Sequence, residues 1–254
     1  MTEDKKKNKI KTADEAKEGL DFEELVKAGL YFGHKTSSTH PKMKQYIESS
    51  RNRIHIIDLA KTAEKLKEVL DFIGDLVSQG KEILFVGTKI QVKDKIKEVA
   101  EECHLPYVNQ RWLGGTFTNF ETIKKRLEYF RSLEMQKASG ELQKYVKKER
   151  LKIDREIEGL RKKFGGIKNL EKLPTAVFVT DMKENILVVK EAREKGIIVI
   201  VIADTNVNPA LADHFIPAND DAISSLNYIL DRVKKAILEA KPQPKASQPL
   251  ADKK

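Results

Sequence analysis

A chain of 254 residues is long enough for one α/β domain with an insertion or for two small domains, and 40% hydrophobic content supports a core. Charged residues make up 34%, above the usual quarter, and a net charge of +9 favours polyanionic partners. Cys103 is the only cysteine, which excludes an intrachain disulfide and a multi-cysteine metal site, and no stretch of 18 apolar residues is present to span a membrane.

Residues 1–19 are lysine-rich with almost nothing to bury and read as a disordered basic arm. They hold no apolar run like that of a signal peptide, so a cytoplasmic location is the expectation. Residues 34–55 follow as "HKTSSTHPKMKQYIESSRNRIH", with Lys35, Lys42, Lys44, Arg51 and Arg53 against one acid, Glu48. Pro41 and the serines argue against a helix, and a basic loop interleaved with histidine and aromatic residues suits RNA phosphates and unstacked bases.

Apolar β-branched runs then alternate with helical patterns. Residues 53–59 read as a strand, and residues 61–80 as a helix carrying Leu66, Val69, Leu70, Ile73 and Val77 at helical spacing. A buried strand at 82–88, a helix at 91–104 and a short strand at 106–108 come next. Beyond them lie strands at 175–181, 197–204 and 214–217, with helices at 185–196 and 220–240. The strands are continuous apolar runs, which a parallel sheet covered on both faces requires.

Residues 118–164 break that rhythm. Phe120, Ile123, Leu127 and Phe130 form one narrow apolar stripe, and Ile153, Ile157, Leu160 and Phe164 form a second beyond the turn "ASGE". Near-heptad stripes joined by a turn predict an inserted antiparallel coiled-coil helical hairpin. It carries 14 Lys and Arg against 8 Asp and Glu, a surface that solvent alone could explain. The expected organisation is one α/β domain from residues 20–117 and 165–240, the hairpin at 118–164, and a disordered tail at 241–254.

Three patterns bear on chemistry. Gly87-Thr88-Lys89 ends a strand where open parallel sheets bind phosphate, so a nucleotide- or sugar-phosphate-binding enzyme is one reading; no glycine-rich dinucleotide or P-loop fingerprint supports it. Asp181 and Asp204 both end strands and could hold a structural divalent cation, though each also suits a cap or turn. The five histidines, His34, His40, His55, His104 and His214, form no zinc-enzyme spacing, and no nucleophile elbow is present.

Trp112, the only tryptophan, lies in "QRWLGGTFTNF" between Arg111 and the pair Gly114-Gly115. Its expected role is an anchor where the hairpin leaves the sheet, with Arg111 facing a partner and Thr118 capping the first hairpin helix; stacking on a base is the competing role.

The stretches "AGLYFGHKT", "HPKMKQYI", "RNRIHIIDLAKT", "ILFVGTK", "YVNQRWLGGTFTNF", "GGIKNLEKLP", "ADTNVNP" and "IPANDDAI" carry a resemblance. Together they resemble the bacterial ribosomal protein S-two family, in the family's order and over roughly residues 20–240. The resemblance implies a flavodoxin-like parallel α/β sheet with helices on both faces and an inserted coiled-coil hairpin. It implies no catalysis and no required cofactor. It implies a cytoplasmic, structural constituent of the ribosome that binds 16S rRNA, joins the small subunit late and supports attachment of the messenger-binding ribosomal protein S-one. Neighbouring small-subunit proteins are the other expected partners, with no membrane and no small-molecule substrate. The residues expected to meet RNA are His34, Lys35, Lys42, Lys44, Arg51, Asn52, Arg53, Lys89, Arg111 and Trp112. The chain departs from the family pattern at Ser37-Ser38-Thr39-His40, where two basic residues and a tryptophan-asparagine pair are usual. Asn208 stands in place of an aspartate and Ala218 in place of a glycine.

Overall fold

A computed structural model describes residues 22–241. The expected arm at 1–19 and all but the first residue of the expected tail lie outside the described residues.

Five strands form one parallel sheet: β4 (Ile83–Val86), β5 (Tyr107–Val108), β6 (Ala176–Val179), β7 (Ile198–Ala203) and β8 (His214–Pro217), in the order β5-β4-β6-β7-β8. Numbered within this sheet, the order is 2-1-3-4-5, the flavodoxin-like arrangement. Side chains alternate across it. Ile83, Phe85, Ala176, Phe178, Ile200, Ile202 and Ile216 enter one core. Leu84, Val86, Val177, Val179, Val199, Val201 and Ala203 enter the other. Both sets are buried, which is why the strands read as unbroken apolar runs.

Helices α2 (Leu59–Ser78), α3 (Lys93–Glu102) and α7 (Ile223–Ala240) cover the first face, and α6 (Ile186–Glu194) lies on the second. Helix α2 starts earlier than its sequence pattern suggests. Asp58 caps it, its Oδ1 accepting from the amides of Ala60 at 3.0 Å and Lys61 at 3.4 Å. The strand expected over 53–59 is therefore confined to β3 (Ile54–Ile57), and Leu59 belongs to the helix.

Between Val108 and Ala176 come α4 (Phe120–Ala138) and α5 (Lys147–Phe164), packed on one another. Their inward stripe, Ile123, Leu127, Phe130, Ile157 and Phe164, belongs to the same buried cluster as the second sheet face. Asn119, not Thr118, occupies the N-cap of α4, and it makes no side-chain cap bond there.

The segment expected as a basic loop is more ordered than its composition suggests. Strands β1 (Phe32–Lys35), β2 (Ile47–Arg51) and β3 form an antiparallel sheet in the order β1-β3-β2, with two 3₁₀ turns, Thr36–Ser38 and Pro41–Tyr46, between β1 and β2. The short helix α1 (Phe22–Lys27) precedes it. Strand β2 reads IESSR, with little apolar alternation, because only its first residue is partly covered.

Candidate nucleic-acid interface

The small sheet is seated on the carboxyl end of β7 through Thr205. The amide of His34 donates to Thr205 Oγ1 at 3.0 Å, and the amide of His40 donates to the Thr205 carbonyl at 2.8 Å. A Cβ at Gly33 would lie 2.7 Å from Thr205 Cγ2, so only glycine permits this approach. Pro41 opens the second 3₁₀ turn, and His40 Nδ1 accepts from the Lys42 amide at 3.3 Å. Met43 from that turn is fully buried against the second core. The turn is thereby pinned, while its neighbours Lys42 and Lys44 point to solvent.

Strands β2 and β3 are joined by Asn52 at φ 51° and Arg53 at φ 62°. Positive φ at both central residues of a two-residue hairpin is the type I′ turn, whose twist matches the strands. Asparagine tolerates that conformation; arginine there is strained by its Cβ. Lys35, Lys42, Lys44, Arg51, Asn52 and Arg53 are all exposed, and the five cations make no ion pair among the described residues. The small sheet and its turns thus carry five exposed cations on a backbone held from beneath.

His34 and Lys89 have a different environment. His34 Nδ1 lies 3.0 Å from Asp204 and its Nε2 lies 3.4 Å from Asp221. The hydrogen bond to Asp204 raises the imidazole above its ordinary value, against the effect of burial. The Lys89 ammonium lies 2.5 Å from Asp181, 3.1 Å from Asp220 and 2.8 Å from Asp221. Burial would lower Lys89, but Asp220 and Asp221 more than reverse it. Asp220 is pushed up to about 6, by burial first and by the charge of Asp204 second, with Lys89 opposing. Burial raises Asp221, and Lys89 outweighs this and leaves it lowered.

This cluster occupies the carboxyl edge of the parallel sheet, where a phosphate would bind in an enzyme of this topology. Four carboxylates crowd the position, and Lys89 is already held by three of them, so a phosphate would meet repulsion there. The sequence pairs Asp181 with Asp204; the structure gives Asp181 to Lys89 and Asp204 to His34. His34, Asp204 and Asp220 have ligand-type atoms within 4.8 Å of one another. Lys89 supplies positive charge at the cluster, and a divalent cation at Asp181 and Asp204 draws no support from this arrangement.

Arg111 is exposed, and Trp112 beside it is not. The indole is 8% exposed and packs edge-on against Phe117 at 4.8 Å. Glu191, from the middle of α6 and 5% exposed, organises the whole stretch. It accepts from Trp112 Nε1 at 3.3 Å, from the amides of Gly115 and Phe117 at 2.9 Å each, and from the Thr118 amide at 3.3 Å. The Thr118 hydroxyl adds a longer contact at 3.4 Å. Gly115 takes φ 89°, which lets three nearby amides converge on one carboxylate. Sequence reasoning missed Glu191, because in "NILVVKEAREKG" it reads as one more surface acid.

The geometry therefore separates the expected RNA-facing residues into two groups. Lys35, Lys42, Lys44, Arg51, Asn52, Arg53 and Arg111 are exposed; Trp112 is buried, and His34 and Lys89 are engaged with carboxylates.

The family described as Ribosomal protein S2 matches residues 25–240. "Small ribosomal subunit protein uS2" of Roseiflexus sp. (strain RS-1) is 49% identical over 215 residues, covering 85% of this chain and 82% of that protein. The protein of the same name from Dictyoglomus thermophilum is 48% identical over 220 residues, covering 87% and 89%. That of Roseiflexus castenholzii is 49% identical over 217 residues, covering 85% and 82%.

Proposed function

Because the chain belongs to the ribosomal protein S2 family, we propose that it is a structural component of the small ribosomal subunit that binds 16S rRNA. It is a ribosomal protein rather than an enzyme, as its relatives are, and it requires no cofactor. It acts in translation, within the cytoplasmic ribosome. The finer roles are support of late subunit assembly, contact with neighbouring subunit proteins and support for the messenger-binding ribosomal protein S-one.

The observation that carries the RNA reading is the set Lys35, Lys42, Lys44, Arg51 and Arg53, exposed and without ion pairs among the described residues, on a small sheet and turns pinned by Thr205 and Met43. A backbone already fixed adds no ordering cost of its own on meeting phosphates, and each contact releases counterions from the RNA. Arg111 extends the basic surface toward the base of the helix pair. Residues 118–164 serve as an inserted arm on the domain formed by 20–117 and 165–240. The test is sedimentation of the chain with ribosomal subunits. Migration with the small subunit, reversed by high salt, supports the reading; a chain that stays at the top of the gradient contradicts it.

A further inference from the structure

His34 sits where the small sheet meets the carboxyl edge of the parallel sheet, and both of its ring nitrogens face carboxylates. Nδ1 lies 3.0 Å from Asp204 Oδ2, just past the end of β7. Nε2 lies 3.4 Å from Asp221 Oδ2, between β8 and α7. A carboxylate only accepts hydrogen bonds, and a neutral imidazole offers one N–H and one lone pair. A neutral ring would therefore aim its lone pair at one of the two acids. An imidazolium donates to both.

The acids do not supply the missing proton. Asp204 Oδ1 accepts from the amide of Thr205 and, at 3.1 Å, from its hydroxyl. Burial raises the Asp221 carboxyl, but Lys89 at 2.8 Å outweighs it and leaves it lowered. Asp220 adds a further negative charge around the ring, and Lys183 acts on Asp221 from beyond β6. Lys89, after β4, is shared by Asp181, Asp220 and Asp221. That leaves Asp204 with His34 as its cationic partner.

The ring is coupled through the backbone to the cations that face RNA. The His34 amide is held by Thr205 Oγ1, and Gly33 beside it approaches Thr205 too closely for any side chain. Lys35 follows at once, and the Thr36 amide donates to the Arg53 carbonyl at 2.9 Å. Strand β1 thereby positions both Lys35 and the β2–β3 turn that carries Arg53.

We propose that His34 is a proton-operated latch: as an imidazolium bridging Asp204 and Asp221 it fastens the small sheet to the parallel sheet, and its deprotonation loosens that sheet and weakens RNA binding. This rests on the chain being an RNA-binding ribosomal protein. Deprotonation removes one of the ring's two hydrogen bonds and leaves the buried Asp204 short of a counter-charge. The hydrogen bond to Asp204 raises the imidazole above its ordinary 6.5, with burial opposing. The latch is therefore fully present below 6.5 and is lost as pH rises through the folded value.

The tests use the full chain. Nitrogen-15 NMR of the His34 ring should show a midpoint above 6.5; a midpoint at or below 6.5 overturns the proposal. Protection of the Thr36 amide from hydrogen exchange, corrected for the intrinsic rate, should fall over the same range. Constant protection would mean that nothing loosens. Affinity for 16S rRNA should fall by up to about tenfold per pH unit above 6.5 and level at that of His34→Gln, whose own profile lacks the fall. His40, His55, His104 and His214 are common to both chains and cancel in the comparison. Parallel affinity profiles overturn the proposal. Failure of the ribosomal reading has another signature: the chain would not join small subunits at any pH, while the ring midpoint and the amide protection would still report on the latch.

Discussion

The indole N–H of Trp112 donates to the buried carboxylate of Glu191 at 3.3 Å, joining the stretch before α4 to the middle of α6. The same carboxylate collects three backbone amides from the Gly-Gly-Thr-Phe-Thr segment, so the tryptophan closes a nest built around one acid. Trp112 is therefore an anchor within the chain, and its ring is covered before any partner arrives. Its fluorescence, the only tryptophan signal of the protein, should be blue-shifted and protected from acrylamide without RNA. Trp112→Phe keeps the ring contact with Phe117 and should cost about 1 kcal/mol in urea unfolding, the value of a lost hydrogen bond. Glu191→Ala strands several buried donors and should cost about 3 kcal/mol or more. Equal costs for the two variants would mean that the carboxylate does not organise the segment.

Arg111 tests the other half of that segment. It is exposed and has no ion pair among the described residues, so Arg111→Ala should change unfolding stability by less than about 0.5 kcal/mol while weakening association with the small subunit. A lowered melting temperature with undiminished association would reverse the assignment.

Asp220 sets a pH dependence. Its folded value of about 6 lies above its ordinary 3.8, so the folded state holds this proton more tightly than the unfolded chain. The contribution to stability is fully present below 3.8 and is lost as pH rises through about 6. His34, also raised, acts in the same sense at higher pH, with its contribution lost above its ordinary 6.5. Asp220→Asn should therefore flatten the dependence of unfolding free energy on pH between about 4 and 6.5. A variant whose profile parallels the unsubstituted chain would show that the carboxylate is not protonated in that window.

Arg53 trades backbone strain for charge. At φ 62° a residue with a Cβ is disfavoured by about 1 kcal/mol, and glycine is not. Arg53→Gly should stabilise the protein by about that amount in urea unfolding and weaken RNA binding. A variant that gains no stability would show that the turn relaxes around the arginine; one that keeps full affinity would remove Arg53 from the interface.

The sequence was informative where burial is uniform. The strands β4, β6 and β7 are buried on both faces, so their runs ILFV, AVFV and IVIVIA are apolar throughout and easy to place. The stripes of α4 and α5 were legible for the same reason, since their inner residues are buried. Of the small sheet only β3 was legible; β1 and β2 were not, because IESSR presents almost nothing to a core and its register comes from pairing with β3. Asp58 carried a cap signal, but the apolar residues on either side masked it as strand. Glu191 had no local signal at all: its partners arrive from 73 to 79 residues earlier in the chain. The same holds for Lys89, whose carboxylates Asp220 and Asp221 come from the far end of the sheet.

Exposed cations of the small sheet and its turns that meet rRNA phosphates set the salt dependence of 16S rRNA binding, which a filter-binding titration reads out. With Lys42, Lys44 and Arg53 replaced together by Ala, the slope of log K on log salt should fall by roughly 2 to 3 and affinity at moderate salt should drop, while the melting temperature holds. A slope equal to that of the unsubstituted chain would mean that these residues do not meet rRNA phosphates.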